Sequence, residues 1–257
     1  RTDGSVNGCL NEGNITVEVS ENGGVSGGGI TGDCNGKNIR ITGCINRGKL
    51  SGNSTSYKTE GISLAGIVGT NFSGSTINNC LNEGEVNVRF SSSQTVYSPF
   101  SAAGITTSNY GLVINSGNTG RIAVQSDMKA TVGGISSHNS GSIVNSYNIG
   151  AIACNGRKGQ TFYNNGGGIT GVFQYSTIGI TPLIYGCYNS GTVSSTGSEE
   201  QIGSIAGDAS YLIDEYNVPT RIRNTYHSTE TGKSIGNDYY QQSQYILGVF
   251  DMKGKDF

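Results

Sequence analysis

Apolar residues come in short pulses along this chain, one to four at a time, separated mostly by glycine, asparagine and serine, and the pulses recur in a fixed order. Val6-Asn7-Gly8-Cys9-Leu10-Asn11-Glu12-Gly13-Asn14-Ile15 returns at residues 41–50 and 77–86. Further copies run from Val113, Ile143 and Ile184, and a worn one starts at Ile222. The asparagine before x-Gly falls at Asn11, Asn46, Asn82, Asn118, Asn148 and Asn189, at spacings of 35, 36, 36, 30 and 41. A near-constant period with elastic length marks a fixed structural unit carrying variable loops. Between the copies stands a second phrase, Gly28-Gly29-Ile30, Ala65-Gly66-Ile67, Ala103-Gly104-Ile105, Gly133-Gly134-Ile135, Gly167-Gly168-Ile169 and Gly203-Ser204-Ile205. Each repeat reads as three short strands: one at the Gly-Ile phrase, one at Ile-x-Gly/Asn-Cys, and one after the Asn-x-Gly turn. No pulse is long enough for a helix.

The columns of the repeat predict how these strands are used. Gly8, Gly43, Asn79, Asn115, Asn145, Gly186 and Asn224 form a column of Gly and Asn alone, the residues that tolerate a left-handed backbone. Such a residue resets the in–out alternation, so the next column, Cys9, Cys44, Cys80, Ser116, Ser146, Cys187 and Thr225, is expected to point inward. The Asn-x-Gly column sits at the following turn, where stacked amides can hydrogen-bond from one repeat to the next. His227 takes the asparagine position in the last copy.

Like residues in register over about seven repeats predict an all-β chain: a right-handed parallel β-helix (β-solenoid) of about seven three-stranded coils with variable corner loops. At ~4.8 Å per coil the stack is roughly 34 Å long. Repeats fill residues 1–238, and 239–257, which leaves the pattern, is expected to form a C-terminal cap or the start of a following segment. Composition agrees: 42 Gly, 32 Ser and 26 Asn among 257 residues, with 25 Ile and 16 Val against 8 Leu. The net charge of −2 and the absence of Lys/Arg runs argue against nucleic acid as a partner. No apolar run approaches a membrane span, so no membrane insertion is expected. The start at Arg1, without Met or leader, is expected of a piece cut from a longer chain or of a processed one, and the chain is expected to be part of a larger multidomain surface protein.

The phrases Ala65-Gly66-Ile67-Val68-Gly69-Thr70-Asn71, residues 134–147 and Ile184-Tyr185-Gly186-Cys187-Tyr188-Asn189-Ser190-Gly191 resemble the GLUG-type repeat of bacterial cell-surface proteins. That family occurs in adhesin-like proteins and in non-catalytic regions of some secreted IgA-specific metallopeptidases. The resemblance covers residues 6–232, with Ile or Val where the family often has Leu. It implies a β-solenoid on the bacterial cell surface, extracellular, with no catalytic motif and no cofactor.

Candidate chemistry is sparse. Six cysteines could form disulfides, but four share the inward column and Cys154 shares a core position with Val88 and Val124, so buried thiols are expected. No C-x-x-C or C-x-x-H spacing supports a metal, and a calcium site is a minor option among the C-terminal acids. His138 is placed in a turn. A polysaccharide-cleaving β-helix enzyme, lyase or glycoside hydrolase, is the alternative reading; its acids would come from Glu199, Glu200, Asp208, Asp214 and Glu215 with His227. The favoured site lies in the loops that leave one corner between the third strand and the next Gly-Ile phrase. They carry Tyr57, Phe90, Tyr97, Phe100, Arg157, Lys158, Phe162 and Tyr163, aromatic faces beside basic groups that suit a glycan or a host surface protein. The sequence therefore predicts a non-catalytic adhesin-like module or a rigid stalk.

Overall fold

The computed structural model describes residues 3–36, 38–92, 100–156, 164–174, 182–196, 200–211, 221–228, 233–237 and 246–251. They form a parallel β-helix, with no helical segment among them. One coil shows the plan: Arg40–Thr42, Ile45–Asn46, Leu50–Ser54, Thr59–Ala65 and Val68–Asn71 follow one another. Each strand pairs in parallel with its counterparts one period away, so Ile41 lies beside Val6 and Ile77, and Asn46 beside Asn11 and Asn82. The first two strands of every coil build a fourteen-stranded sheet, here sheet 1. The third, fourth and fifth build sheets 2, 3 and 4, of six, six and seven strands.

A coil thus has five short strands where the sequence predicts three. Two physical causes account for the difference. The Gly/Asn column does adopt the left-handed backbone, from φ 47° at Asn145 to 64° at Gly43, and this bend divides the middle strand in two. The Gly-Ile phrase is not a strand but the sharp bend between sheets 3 and 4. At that bend a side chain on Gly66 would stand 2.3 Å from the carbonyl oxygen of Gly104, so a residue with a Cβ cannot be accommodated there.

Two apolar cores run the length of the stack. One holds the isoleucines and valine that start each copy, Ile41, Ile77, Val113, Ile143, Ile184 and Ile222, packed with Cys44, Cys80 and Cys187 and with the isoleucines of the bend. The other lies between sheets 2 and 3, where Val86, Val88, Ile122 and Val124 meet Ile62, Leu64, Phe100 and Val132. Burying such a side chain contributes about 1.5–3 kcal/mol, so nearly every coil adds its own increment of stability.

Sheets 3 and 4 face each other through small polar residues instead. A Cβ on Gly171 would touch Thr131 Cγ2 at 2.8 Å, and one on Gly69 would touch Ser26 Oγ at 2.8 Å, so glycines on sheet 4 make room for the facing row of sheet 3. That row runs in register through Ser26, Ser63, Ser101, Thr131, Asn165 and Gln201.

The inward small column is buried as expected from Cys44 onward, while Cys9, in the first coil, is exposed. All six cysteines are thiols. Burial pushes the thiols of Cys80 and Cys187 up to about 11 and about 12. Residues 246–251, expected outside the repeat, pair in register with Arg221–His227 as one more parallel strand of sheet 1. Ile246-Leu247-Gly248-Val249-Phe250 repeats the apolar–x–Gly–small–aromatic order, and Phe250 stacks on Tyr226 with ring centres 5.3 Å apart.

Candidate functional site

The asparagine column forms the ladder the repeat implies. Asn11 Nδ2 donates to Asn46 Oδ1 at 2.7 Å, and the chain continues through Asn82, Asn118 and Asn148 to Asn189 at 2.7–2.8 Å. Each amide also donates to the carbonyl two residues on, as Asn118 does to Gly120 at 2.8 Å. A second ladder, not anticipated from the sequence, joins Asn71, Asn109 and Asn139 on sheet 4, both steps at 2.7 Å. These buried ladders fix the register of the coils and leave the outer faces and corners free for recognition.

The corner between sheets 2 and 3 is where the variable loops leave. Tyr57 stands there, half exposed, with Lys58 Nζ 5.7 Å from its ring centre. Phe90 and Phe100, expected on the loop surface, are instead buried and stacked with ring centres 4.3 Å apart. They correct the sequence reading: each ends or begins a core strand, and the pair seals the second core from inside the corner. Tyr97, Arg157, Lys158, Phe162 and Tyr163 lie outside the described residues.

Beside this corner the outer face of sheet 2 carries a groove of about 400 Å³. Its floor is one in-register row, Glu18, Asn53, Arg89 and Gln125, which the repeat spacing could have revealed. Three coil steps make it roughly 14 Å long. The two carboxylates in the groove are held by neutral donors. Glu18 Oε1 accepts from Asn53 Nδ2 at 2.7 Å, while Asp127 Oδ2 accepts from Ser91 Oγ at 2.9 Å and the Ser92 amide at 3.1 Å. Arg89 forms no ion pair among the described residues, whereas Arg47 is paired with Glu12 and Glu83, and Lys49 and Arg121 with Glu85.

His138 lies in a strand of sheet 4, not a turn, with Nδ1 3.3 Å from Ser137 Oγ. Burial, aided by the charge of Lys129, lowers its pKa to about 4. His227 continues the asparagine column beside Asn189 and places Nε2 2.8 Å from Ser234 Oγ. Asp208 is buried on sheet 4, while Glu199, Asp214 and Glu215, with the side chain of Glu200, fall outside the described set. Among the described residues no three His, Cys, Asp or Glu side chains gather as a metal cluster. Comparison with protein-family models, with curated proteins and with solved structures found no match.

Proposed function

We propose that this chain is a non-catalytic, surface-displayed bacterial β-helix whose sheet 2 groove and adjoining corner loops bind a glycan. The observation that carries this reading is the row Glu18, Asn53, Arg89 and Gln125, which sets donors and acceptors at a regular pitch along an open groove beside an exposed tyrosine. A sugar chain offers hydroxyls at a regular pitch and apolar ring faces for Tyr57, so both halves of the surface find partners. The stacked coils supply a rigid rod, and corner loops can vary in sequence without disturbing either core. The resemblance to GLUG-type repeats supports an extracellular setting within a larger surface protein.

A glycan array probed with the intact chain, then assayed after overnight incubation for freed sugars, tests the reading. Saturable binding without release, weakened at least tenfold by Tyr57→Ala, is the expected result. Release of sugars would move the assignment to a polysaccharide-cleaving enzyme, and silence across the array would leave a spacer.

A further inference from the structure

Near the C-terminal end of the seam between sheets 3 and 4, two amide oxygens are buried without any hydrogen-bond partner: Asn165 Oδ1 and Gln201 Oε1. Asn165 is only 1% exposed, and it lies directly beside Gln201 in the register of sheet 3, so the two amides share one face in successive coils. The residue that faces them across the seam follows from the repeat. In the first coil Ser26, at the same position of the sheet 3 row, lies 3.4 Å from Asp33 in its own coil and 3.5 Å from Thr70 in the next. Asp33 and Thr70 belong to the sheet 4 row that continues through Ser108, His138 and Val172 to Asp208. Asp208 therefore stands to Gln201 as Asp33 stands to Ser26, and to Asn165 as Thr70 stands to Ser26. Asp208 is 6% exposed, and its Oδ1 accepts from Asn237 Nδ2 at 3.2 Å.

Two buried amide oxygens without donors, in register beside a carboxylate, form a set of oxygen acceptors that a cation can bridge. We infer that Asp208, Asn165 and Gln201 hold a hard cation, with calcium the best fit because all three donors are oxygens and the remaining ligands can be water. The inference is independent of the glycan reading. The three preceding residues of the sheet 3 row, Ser63, Ser101 and Thr131, bear hydroxyls instead of amides, which places this donor set at one point along the stack. The single carboxylate sets the affinity in the weak range of extracellular calcium modules, roughly 10⁻⁴–10⁻³ M.

The test is calorimetric titration of the intact, EDTA-treated chain with calcium chloride, with thermal unfolding followed in parallel. Expected are one calcium per chain, a saturable rise in Tm, and loss of both in Asp208→Asn. Gln201→Met, which keeps the length of the side chain but removes its oxygen, should weaken binding at least tenfold and serves if Asp208→Asn does not fold. Asp33→Asn, at the matching row position in the first coil, should bind as the wild type does. Calcium binding undiminished in Asp208→Asn or Gln201→Met would overturn the site. So would a wild-type chain that takes up no calcium, which would assign the buried oxygens to ordered water.

Discussion

The amide of Asn148 occupies the space that a side chain on Gly134 would need: a Cβ there would stand 2.5 Å from Asn148 Cγ. The same relation joins Gly66 to Asn82, Gly104 to Asn118 and Gly168 to Asn189. The two phrases of the repeat, Gly-Ile and Asn-x-Gly, are therefore two sides of one contact. The bend comes close because it lacks a Cβ, and the asparagine ladder runs in the space this leaves.

Removing one rung should be costly. In Asn118→Ala, Asn82 Nδ2 loses one of its two acceptors and keeps the Gly84 carbonyl, while Asn148 Oδ1 and the Gly120 carbonyl lose the donor Asn118 supplies. At ~1–3 kcal/mol for each buried polar group left without a partner, the loss should reach about 3 kcal/mol or more. Urea unfolding followed by circular dichroism measures it. Gly134→Ala should destabilise at least comparably, because the added carbon meets the Gly168 carbonyl as well as the amide of Asn148, whereas Gly4→Ala, with nothing within 4 Å of the added carbon, should change the midpoint little.

The second ladder offers the opposite test. Asn71 Oδ1 is buried without a donor, and the residue beside it in the preceding coil is Cys34. Asparagine at that position would donate to Asn71 as Asn71 does to Asn109. Cys34→Asn should therefore raise the unfolding midpoint, by about 1 kcal/mol for the added hydrogen bond. A fall would mean that the oxygen is already satisfied by water.

Stability should change with pH at both ends. The thiols of Cys80 and Cys187, raised to about 11 and about 12, stay protonated in the folded chain when those of the unfolded chain ionise. Their contribution is full below the unfolded-state value near 9 and is lost as pH rises toward 11 and 12. His138, lowered to about 4, acts in the reverse sense: its contribution is full above pH 6.5 and is lost as pH falls toward 4. Urea midpoints between pH 4 and 10 should show both declines. The double variant Cys80→Ser/Cys187→Ser should flatten the alkaline side, since Ser116 and Ser146 already fill that column, and His138→Thr the acid side.

Much of the architecture was legible because a β-helix writes its register into the sequence. The left-handed column from Gly8 to Asn224, the ladder from Asn11 to Asn189 and the shared row of Val88, Val124 and Cys154 all follow from the period alone. The bend at Gly-Ile was misread as a strand, since Ile and Val carry the same β signal whether they run along a sheet or turn its corner. Phe90 and Phe100 were misread for a related reason. Aromatics at the edge of a variable loop look alike in sequence whether they close a core or face solvent, and only their mutual stacking separates the cases. The groove row of Glu18, Asn53, Arg89 and Gln125 was missed because its members differ in type, and a column is easiest to see when its residues match.

The central claim is that the sheet 2 groove binds sugar, and the most direct measurement is the affinity of the intact chain for a mucin-coated sensor, wild type against Asn53→Ala/Arg89→Ala. Both side chains lie on the outer face, so the double variant should keep the wild-type melting temperature. The account predicts saturable wild-type binding that weakens at least tenfold in the double variant. Equal affinity of the two chains, or a wild type that does not bind, would contradict it.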